Sequence, residues 1–482
     1  MAKEALVRRG VHFLLIIALG LLAYSNTFNV PFQWDDKHNI AENSAIGEPQ
    51  LLLEGSDQRL GDFFKRRIVG YLSFALNYKL HGLDVTGYHI FNLLVHILNA
   101  LLVYALIRLM LSAMNTETKS PFNEYVPLFV SLLFVVHPIQ TQAVTYIVQR
   151  FTSLATMFYL LSLVLYMKFR SSGKVFTYIF AVLSAVLAMK TKEIAFTLPI
   201  MIALCEAFFF KGAFKKRFLY LAPFLLTMLI IPLTLIGLKD SGLSESIGSA
   251  ARLATDMSRW DYLFTQFRVI VTYLRLLILP INQNLDYDYP VHNSFFNWEV
   301  LPSFLLLSSI IILGVYLIKR NRLVSFGIFW FFVTLSVESS VIPIQDVIFE
   351  HRVYLPSIGA IVAAVAASPY LIRMRKALAA LLVTILLFFS VLSYERNNVW
   401  RDEARLWEDA VRKSPEKARA YLGLGNAYMK KGRLAESIDS LSTAIELNPQ
   451  YAEAYLSRGT AYLFGGMKDL AAEDYAIYNA IK

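Results

Sequence analysis

YHIFNLLVHILNALLVYALIRLMLS, residues 88–112, is an almost unbroken apolar run of membrane-crossing length. The hydrocarbon core of a bilayer is about 30 Å thick, and about 20 mostly apolar residues in a helix cross it. Ten further stretches read the same way, near 11–27, 126–142, 144–167, 175–190, 195–210, 218–237, 300–318, 323–342, 353–372 and 377–394. The first reads as a signal anchor, because no small-residue cleavage site separates it from the next apolar block. Composition agrees: of 482 residues 56% are apolar and 17% charged, and the mean hydropathy is +0.49. Soluble chains carry about 25% charged residues. An ordinary soluble enzyme and a disordered scaffold are thereby excluded. The single cysteine, Cys205, excludes a disulfide framework, a thiolate zinc site and a CxxC redox centre.

The net charge of +10 could speak for nucleic acid, but its layout speaks for topology. Basic clusters fall in every second connection: Lys3, Arg8 and Arg9; Lys168, Arg170 and Lys174; Lys211, Lys215, Lys216 and Arg217; Lys319, Arg320 and Arg322; and Arg373, Arg375 and Lys376. The positive-inside rule puts these in the cytoplasm, together with the N-terminus. Residues 261–281 (DYLFTQFRVIVTYLRLLILPI) are apolar enough to cross, yet crossing would carry the 319–322 cluster outside. Arg268 and Arg275, seven apart on one helical face, would also be costly in lipid. A re-entrant or interfacial helix is the expectation. Eleven crossings then place 28–87, HPIQTQ at 137–142, KTKE at 190–193, 238–299, IQDVIFEHRVYLP at 344–356 and the C-terminal tail on the outer side.

The tail differs in kind. After Tyr394 the composition turns to mixed charge and alanine, and Pro415 and Pro449 stand 34 residues apart, the period of a tetratricopeptide unit. Leu422, Gly425, Tyr428, Gly432, Ala435 and Ala444 fit that unit, and Ala454, Tyr455, Arg458, Gly459, Tyr462, Gly466, Ala471 and Ala472 repeat it. WRDEARLWEDAVRKSP, before them, reads as a capping helix. The expected fold class is therefore all-α: a polytopic membrane domain over 1–395 and an extracytoplasmic α-solenoid over 396–482, with repeats at about 416–449 and 450–482. Stacked helix pairs present a concave surface suited to a protein or peptide partner.

Polar residues mark a candidate site on the outer side. Asp35 and Asp36, in PFQWDDKHNI, are paired carboxylates just beyond the first span, and either could act as general base toward a hydroxyl. His89, Asn92, His96 and Asn99 form a stripe on span two. They can border a site, but hydrogen bonding between helices is the commoner role of such groups. Arg150 lies in the outer part of span four, where an arginine needs a partner; Lys190, Lys192, Arg268, Arg275, His351 and Arg352 add positive charge at the same level. Cations there suit a lipid phosphate, which arginine grips bidentately. Glu193 and Glu350, beside them, would orient these cations as ion pairs. A lipid-linked phosphosugar fits this set, with cations stabilising the departing phosphate and an aspartate taking the acceptor's proton. No Gly-rich phosphate loop occurs, no metal-ligand constellation is evident, a divalent ion is not indicated, and no cofactor is certain.

YSNTFNVPFQWDD, GYHIFNLLVHILNALL, HPIQTQAVTYIVQR, KTKEIAFTLP, NQNLDYDYPV and FEHRVYLPS, followed by tetratricopeptide repeats, resemble in content and order the transmembrane-and-tetratricopeptide O-mannosyltransferases. Those are membrane glycosyltransferases of the GT-C fold, and this chain resembles a compact bacterial relative. The resemblance implies a polyprenyl-phosphate sugar donor, an inverting transfer and a Ser/Thr hydroxyl acceptor at the outer face of a bacterial cytoplasmic membrane. It makes one of Asp35 and Asp36 the base, Asp35 being favoured as the first of the pair. It makes Arg150, Lys192, Arg352 and His351 phosphate contacts, and lets His137 and Pro138 shape the outer turn. Two complete repeats are fewer than animal members carry, so acceptors need not be shared. Two other classes compete: a membrane-anchored scaffold whose repeats recruit an envelope protein, and a transporter. The transporter fares worse because the polar residues gather at one face and not at the midplane.

Overall fold

A computed structural model of the chain describes residues 2–48, 66–114, 121–236, 257–371 and 374–482. Parts of two expected outer segments, 49–65 and 238–256, and Arg373 of the last basic cluster fall outside the described residues. What is described is mainly helical, with longer loops at 279–299 and 336–349 and no strand among the described residues.

The membrane part is built from α1 (Ala2–Ala23), α2 (Ile68–His81), α3 (Val85–Ala113), α4 (Val126–Val136), α5 (Arg150–Ser172), α6 (Val175–Met189), α7 (Leu198–Phe209), α8 (Phe214–Thr227), α9 (Arg259–Ile278), α10 (Val300–Leu317), α11 (Arg322–Leu335), α12 (Tyr354–Leu371) and α13 (Arg375–Trp400). Among the described residues six helical stretches are long and apolar enough to cross a membrane: Val85–Ala113, Ile147–Ser172, Phe214–Thr234, Val300–Leu317, Glu350–Pro369 and Lys376–Trp400. A seventh is reached if Val126–Val136 and Pro138–Val144, bent by 52° at His137, count as one. The expected eleven are therefore not all of crossing length. α6 has 15 residues, α7 12 and α11 14, and at 1.5 Å per residue such helices fall short of about 30 Å.

α3 and α5 form the centre of the bundle, whereas α8, α10 and α13 turn most of their apolar side chains outward. α11 and α12 cross closely at Gly327 and Gly359. A Cβ on either would stand 2.5 Å from the other's carbonyl oxygen, the small-residue contact that lets helix backbones approach. At one end of the bundle Arg170 of α5 and Arg217 of α8 both pair with the buried Glu206 of α7. Arg322 of α11 donates to Phe208 O, 3.5 Å away. Three of the basic clusters thus meet at one end. Arg150 and Ser172 lie at opposite ends of a 23-residue helix, about 33 Å apart along its axis.

The expected re-entrant segment, 261–281, is mostly α9. Its buried residues Tyr262, Val269 and Tyr273 pack with Phe331, Leu335, Val347 and Val353. This helix is not among the six of crossing composition.

α13 continues without a break past residue 395 to Trp400, joining the last apolar helix to the repeats. α14 (Glu403–Lys413) caps two helix pairs, α15 (Ala418–Lys430) with α16 (Leu434–Leu447) and α17 (Ala452–Phe464) with α18 (Lys468–Ile481). The 34-residue period is physical. Gly425 faces Leu441 where Gly459 faces Tyr475, each leaving no room for a Cβ. Gly432 and Gly466 take φ of +73° and +78°, a conformation easy only for glycine.

Candidate functional site

The loop after α1 carries the two acids, and their surroundings differ. Asp36 is buried. One carboxylate oxygen accepts from Gln33 N at 2.9 Å and the other from Val148 N at 2.6 Å. Burial pushes this carboxyl up to about 8, with those two N–H bonds pulling the other way. Asp36 therefore ties the loop to the entrance of α5. Asp35 is exposed, and its N–H donates to the Tyr146 hydroxyl at 2.9 Å. Partial enclosure raises its carboxyl above the ordinary value, and Tyr146 and then Arg419 act against the rise. Trp34, the residue before, sits at φ +38°, a conformation a bulky side chain adopts only when its surroundings hold it.

A second group gathers around the 190–193 turn. Lys192 is buried, pairs with Glu338 at 3.0 Å and donates to Thr152 Oγ1 at 2.9 Å. Glu193 pairs with Arg67 at 2.8 Å. His351 stacks on Phe349, with ring centroids 5.1 Å apart. Its backbone N–H donates to Gln142 Oε1 at 2.7 Å, and its Nδ1 stands 3.1 Å from the same oxygen. It lies within electrostatic reach of Lys192, Arg352 and Arg67. Arg352 donates to Val347 O at 3.1 Å and Asp346 O at 2.7 Å. Three of the expected donor-contact residues, Lys192, His351 and Arg352, are thus brought together, with Lys192 and Arg352 carrying the charge. Arg67 and Glu338 join them without having been singled out from the sequence.

The other expected residues stand elsewhere. Arg150 is fully buried. Nε donates to Asn92 Oδ1 at 2.6 Å, Nη1 to Asn77 Oδ1 at 2.6 Å and Ser73 O at 3.2 Å, and Nη2 to Tyr88 O at 3.1 Å. The rings of Phe74 and Phe91 each lie 4.4 Å from its guanidinium carbon. The partner this arginine needs is therefore the protein's own amides, carbonyls and ring faces, and the expected phosphate grip finds at most one N–H left to make it. Arg268 pairs with Glu299 at 3.5 Å, apart from the Lys192 group. Glu350, expected to orient a cation, instead accepts from Asn284 N, the Tyr287 hydroxyl and Gln283 Nε2, each at 2.7 Å, and so pins the 282–287 loop. His137 caps its own turn, accepting from Ile139 N through Nδ1 at 3.2 Å, and bonds Leu277 O through Nε2 at 3.0 Å. The stripe on α3 serves between helices. His89 meets Val30 O, His96 the Tyr354 hydroxyl and Val135 O, and Asn99 Ser153 O. Among the described residues no three His, Cys, Asp or Glu side chains converge as a cation site.

The end of α13 and the capping helix α14 pack on the residues that flank the acids. Lys37 pairs with Glu403 at 2.5 Å, and Gln33 Nε2 donates to Trp400 O at 3.0 Å. Trp34 meets Trp407 edge to face, 5.6 Å between centroids.

Known proteins bear on this architecture. A family model described as "TPR repeat" matches residues 425–463. Protein O-mannosyl-transferase F38B6.6 of Caenorhabditis elegans is 25% identical over 469 residues, 92% of this chain and 64% of that protein. Protein O-mannosyl-transferase TMTC2 of Homo sapiens is 23% identical over 530 residues, covering 89% of this chain and 61% of that one. Protein O-mannosyl-transferase tmtc2 of Xenopus laevis reaches 34% over a shorter stretch of 164 residues, 32% of this chain and 18% of the relative. The chain spans less than two thirds of the length of these relatives. Along nearly the whole of its own length, then, it is similar to the transmembrane-and-tetratricopeptide protein O-mannosyl-transferases that its motifs resemble.

Proposed function

We propose that this chain is a multi-pass membrane glycosyltransferase that transfers a sugar, with inversion, from a polyprenyl-phosphate donor to a Ser or Thr hydroxyl of a protein. The acids, the Lys192 group and the repeats face the extracytoplasmic side of a bacterial cytoplasmic membrane, and the meeting basic clusters face the cytoplasm. Asp35 takes the proton from the acceptor hydroxyl as its oxygen bonds the anomeric carbon. The bond from that carbon to the phosphate oxygen breaks, and polyprenyl phosphate departs with the electron pair. Lys192, Arg352 and Arg67 supply the positive field at the departing phosphate, where these three cations stand against the two carboxylates Glu193 and Glu338, and the uncharged His351 ring beside them can serve only as a hydrogen-bonding group.

The observation that carries this reading is the unlike state of two adjacent acids. Asp36 has both oxygens engaged by backbone N–H groups, which leaves Asp35 as the exposed carboxylate of raised basicity. A base near its operating pH transfers protons efficiently. Names of relatives that transfer mannose to protein hydroxyls support the reaction class.

The test is purified protein in lipid, supplied with candidate polyprenyl-phosphate sugars and scored for transfer. Asp35→Asn should lose at least about a hundredfold in rate while remaining folded. Asp36→Asn should lower the unfolding temperature and keep measurable transfer. Wild-type transfer by Asp35→Asn would remove the assignment.

A further inference from the structure

Arg419, in the first turn of α15, belongs to the repeats, yet all its strong contacts are with loops of the membrane part. Its Nε and Nη2 donate to the two oxygens of the buried Asp286, at 2.7 and 2.6 Å. Nη2 and Nη1 donate to Asp346, at 2.6 and 3.4 Å. The guanidinium carbon stands 5.0 Å from the centre of the Trp34 ring. One planar cation therefore joins the loop carrying Trp34 and Asp35, the 282–291 loop and the loop leading to FEHR. Neither a helix N-terminus, which disfavours a cation, nor repeat packing asks for an arginine here. Bidentate, charge-assisted bonds fix the guanidinium in place, and its face covers the ring of the residue whose positive φ sets the direction of Asp35.

We propose that Arg419 is a positioning residue for the Asp35 carboxylate, so that the first repeat completes the transfer site in addition to any part it has in recruiting an acceptor. The proposal rests on the reading of Asp35 as the base. The groups facing that carboxylate are Tyr146 from the entrance of α5, Arg419 from the repeats, Asp346 from the loop before α12, and His38 and Asp36 from its own loop. Arg419 and Asp346 are opposite charges in one clamp. Removing either loosens the same contact, but the two removals change the field at Asp35 in opposite directions.

The experiment measures transfer against pH for the full chain in lipid, with polyprenyl-phosphate mannose as the donor probe. Wild type is compared with Arg419→Met, Asp346→Asn and Asp35→Asn. Arg419→Met is expected to move the acid limb of kcat/KM upward by on the order of half a pH unit. It should also lower kcat by about tenfold or more, with the donor KM little changed. Asp346→Asn is expected to move the limb downward. Limbs that stay in place, or move the same way in both variants, overturn the proposal while an inactive Asp35→Asn leaves the base assignment standing. An active Asp35→Asn removes the base assignment itself. If Arg419→Met does not insert, a downward limb in Asp346→Asn supports the proposal and an unmoved one overturns it.

Discussion

Replacing Arg150 tests whether its guanidinium holds the protein together or holds a phosphate. In Arg150→Met four acceptors lose their donor: the amide oxygens of Asn92 and Asn77, and the carbonyls of Ser73 and Tyr88. An unsatisfied buried acceptor costs about 1–3 kcal/mol. The carbonyls carry a second lone pair and belong at the low end of that range. Contacts with Phe74 and Phe91 are lost as well. Against this, the variant no longer has to desolvate a cation. The net loss expected from these unsatisfied acceptors is about 3–5 kcal/mol, a large part of a marginal native stability. Arg150→Lys keeps the charge but cannot satisfy four directions or stack between two rings, so it should fall between. The assay is the unfolding temperature and the monodisperse yield of detergent-solubilised protein, each with and without polyprenyl-phosphate mannose. Arg150→Lys that still folds should keep the donor-induced rise in unfolding temperature, which binding linkage puts at about 2.7 kcal/mol of stabilisation at a hundred times Kd. A folded Arg150→Met with wild-type unfolding temperature and no donor-induced rise would refute the structural role and return the residue to the phosphate.

Two further outcomes follow from the packing. Gly359→Ala places a methyl 2.5 Å from Gly327 O and 2.8 Å from Phe331 N; overpacking of this kind costs about 1–3 kcal/mol, read as a lower unfolding temperature. Gly10→Ala, with nothing within 4 Å of the new atom, is the control, and equal behaviour of the two would contradict the close crossing. Asp409 of α14 joins that helix to α13 through Arg396 at 2.7 Å and pairs within its own helix with Lys413 at 2.7 Å. Burial raises its carboxyl, but those cations outweigh burial and hold it below the ordinary value. A lowered carboxyl stabilises the fold above its unfolded value and loses that contribution as pH falls through the folded one. Asp409→Asn should therefore cost about 3 kcal/mol at pH 7 and flatten the loss of unfolding temperature below about pH 4. A parallel acid profile in variant and wild type would contradict the pairing.

Elements with a one-dimensional signal were legible in the sequence. The apolar runs appear as helices, and the 34-residue spacing appears as paired glycines against Leu441 and Tyr475. Helix length was not legible in the same way. α6, α7 and α11 are as apolar as their neighbours but stop after 12 to 15 residues, because hydropathy records what tolerates lipid and not where a helix ends. Lys192, His351 and Arg352, which the structure brings together, could be singled out because each is a polar residue near the end of an apolar run. Arg150 has the same signature, and only its neighbours distinguish it. Asn77 and Asn92 arrive from two other helices, a convergence that single-chain spacing does not encode. Glu338 carried a usable signal, an acid at the end of an apolar run, and so did Tyr146, within a motif already noted. Arg419 had none. It reads as one more charge in a mixed-charge repeat, and its meaning lies entirely in which loops it reaches.

The adjacency of Asp35 and Asp36 follows from what each needs. A carboxylate with the base role proposed for Asp35 must be presented to a large acceptor, so its own segment has little packing to keep it in place. Burying the base would hold it but close it to the acceptor. Here the next residue is buried instead. Asp36 accepts from the N–H of Gln33 behind it and of Val148 across the bundle, and fixes the backbone on which Asp35 stands. Its raised carboxyl of about 8 also bears on its partner. An uncharged Asp36 at neutral pH spares Asp35 a like charge next door, which would push Asp35 above the range in which a carboxylate is still ionised. The raised carboxyl lends its stability fully below about pH 4; that contribution is lost as pH rises from there through about 8, where Asp36 ionises in the fold, and is level above it. On the proposed reading Asp35 must be ionised to accept a proton, which sets a lower pH bound on transfer, whereas ionising Asp36 strengthens the two N–H bonds that hold the loop and sets that gain against the cost of burying the charge.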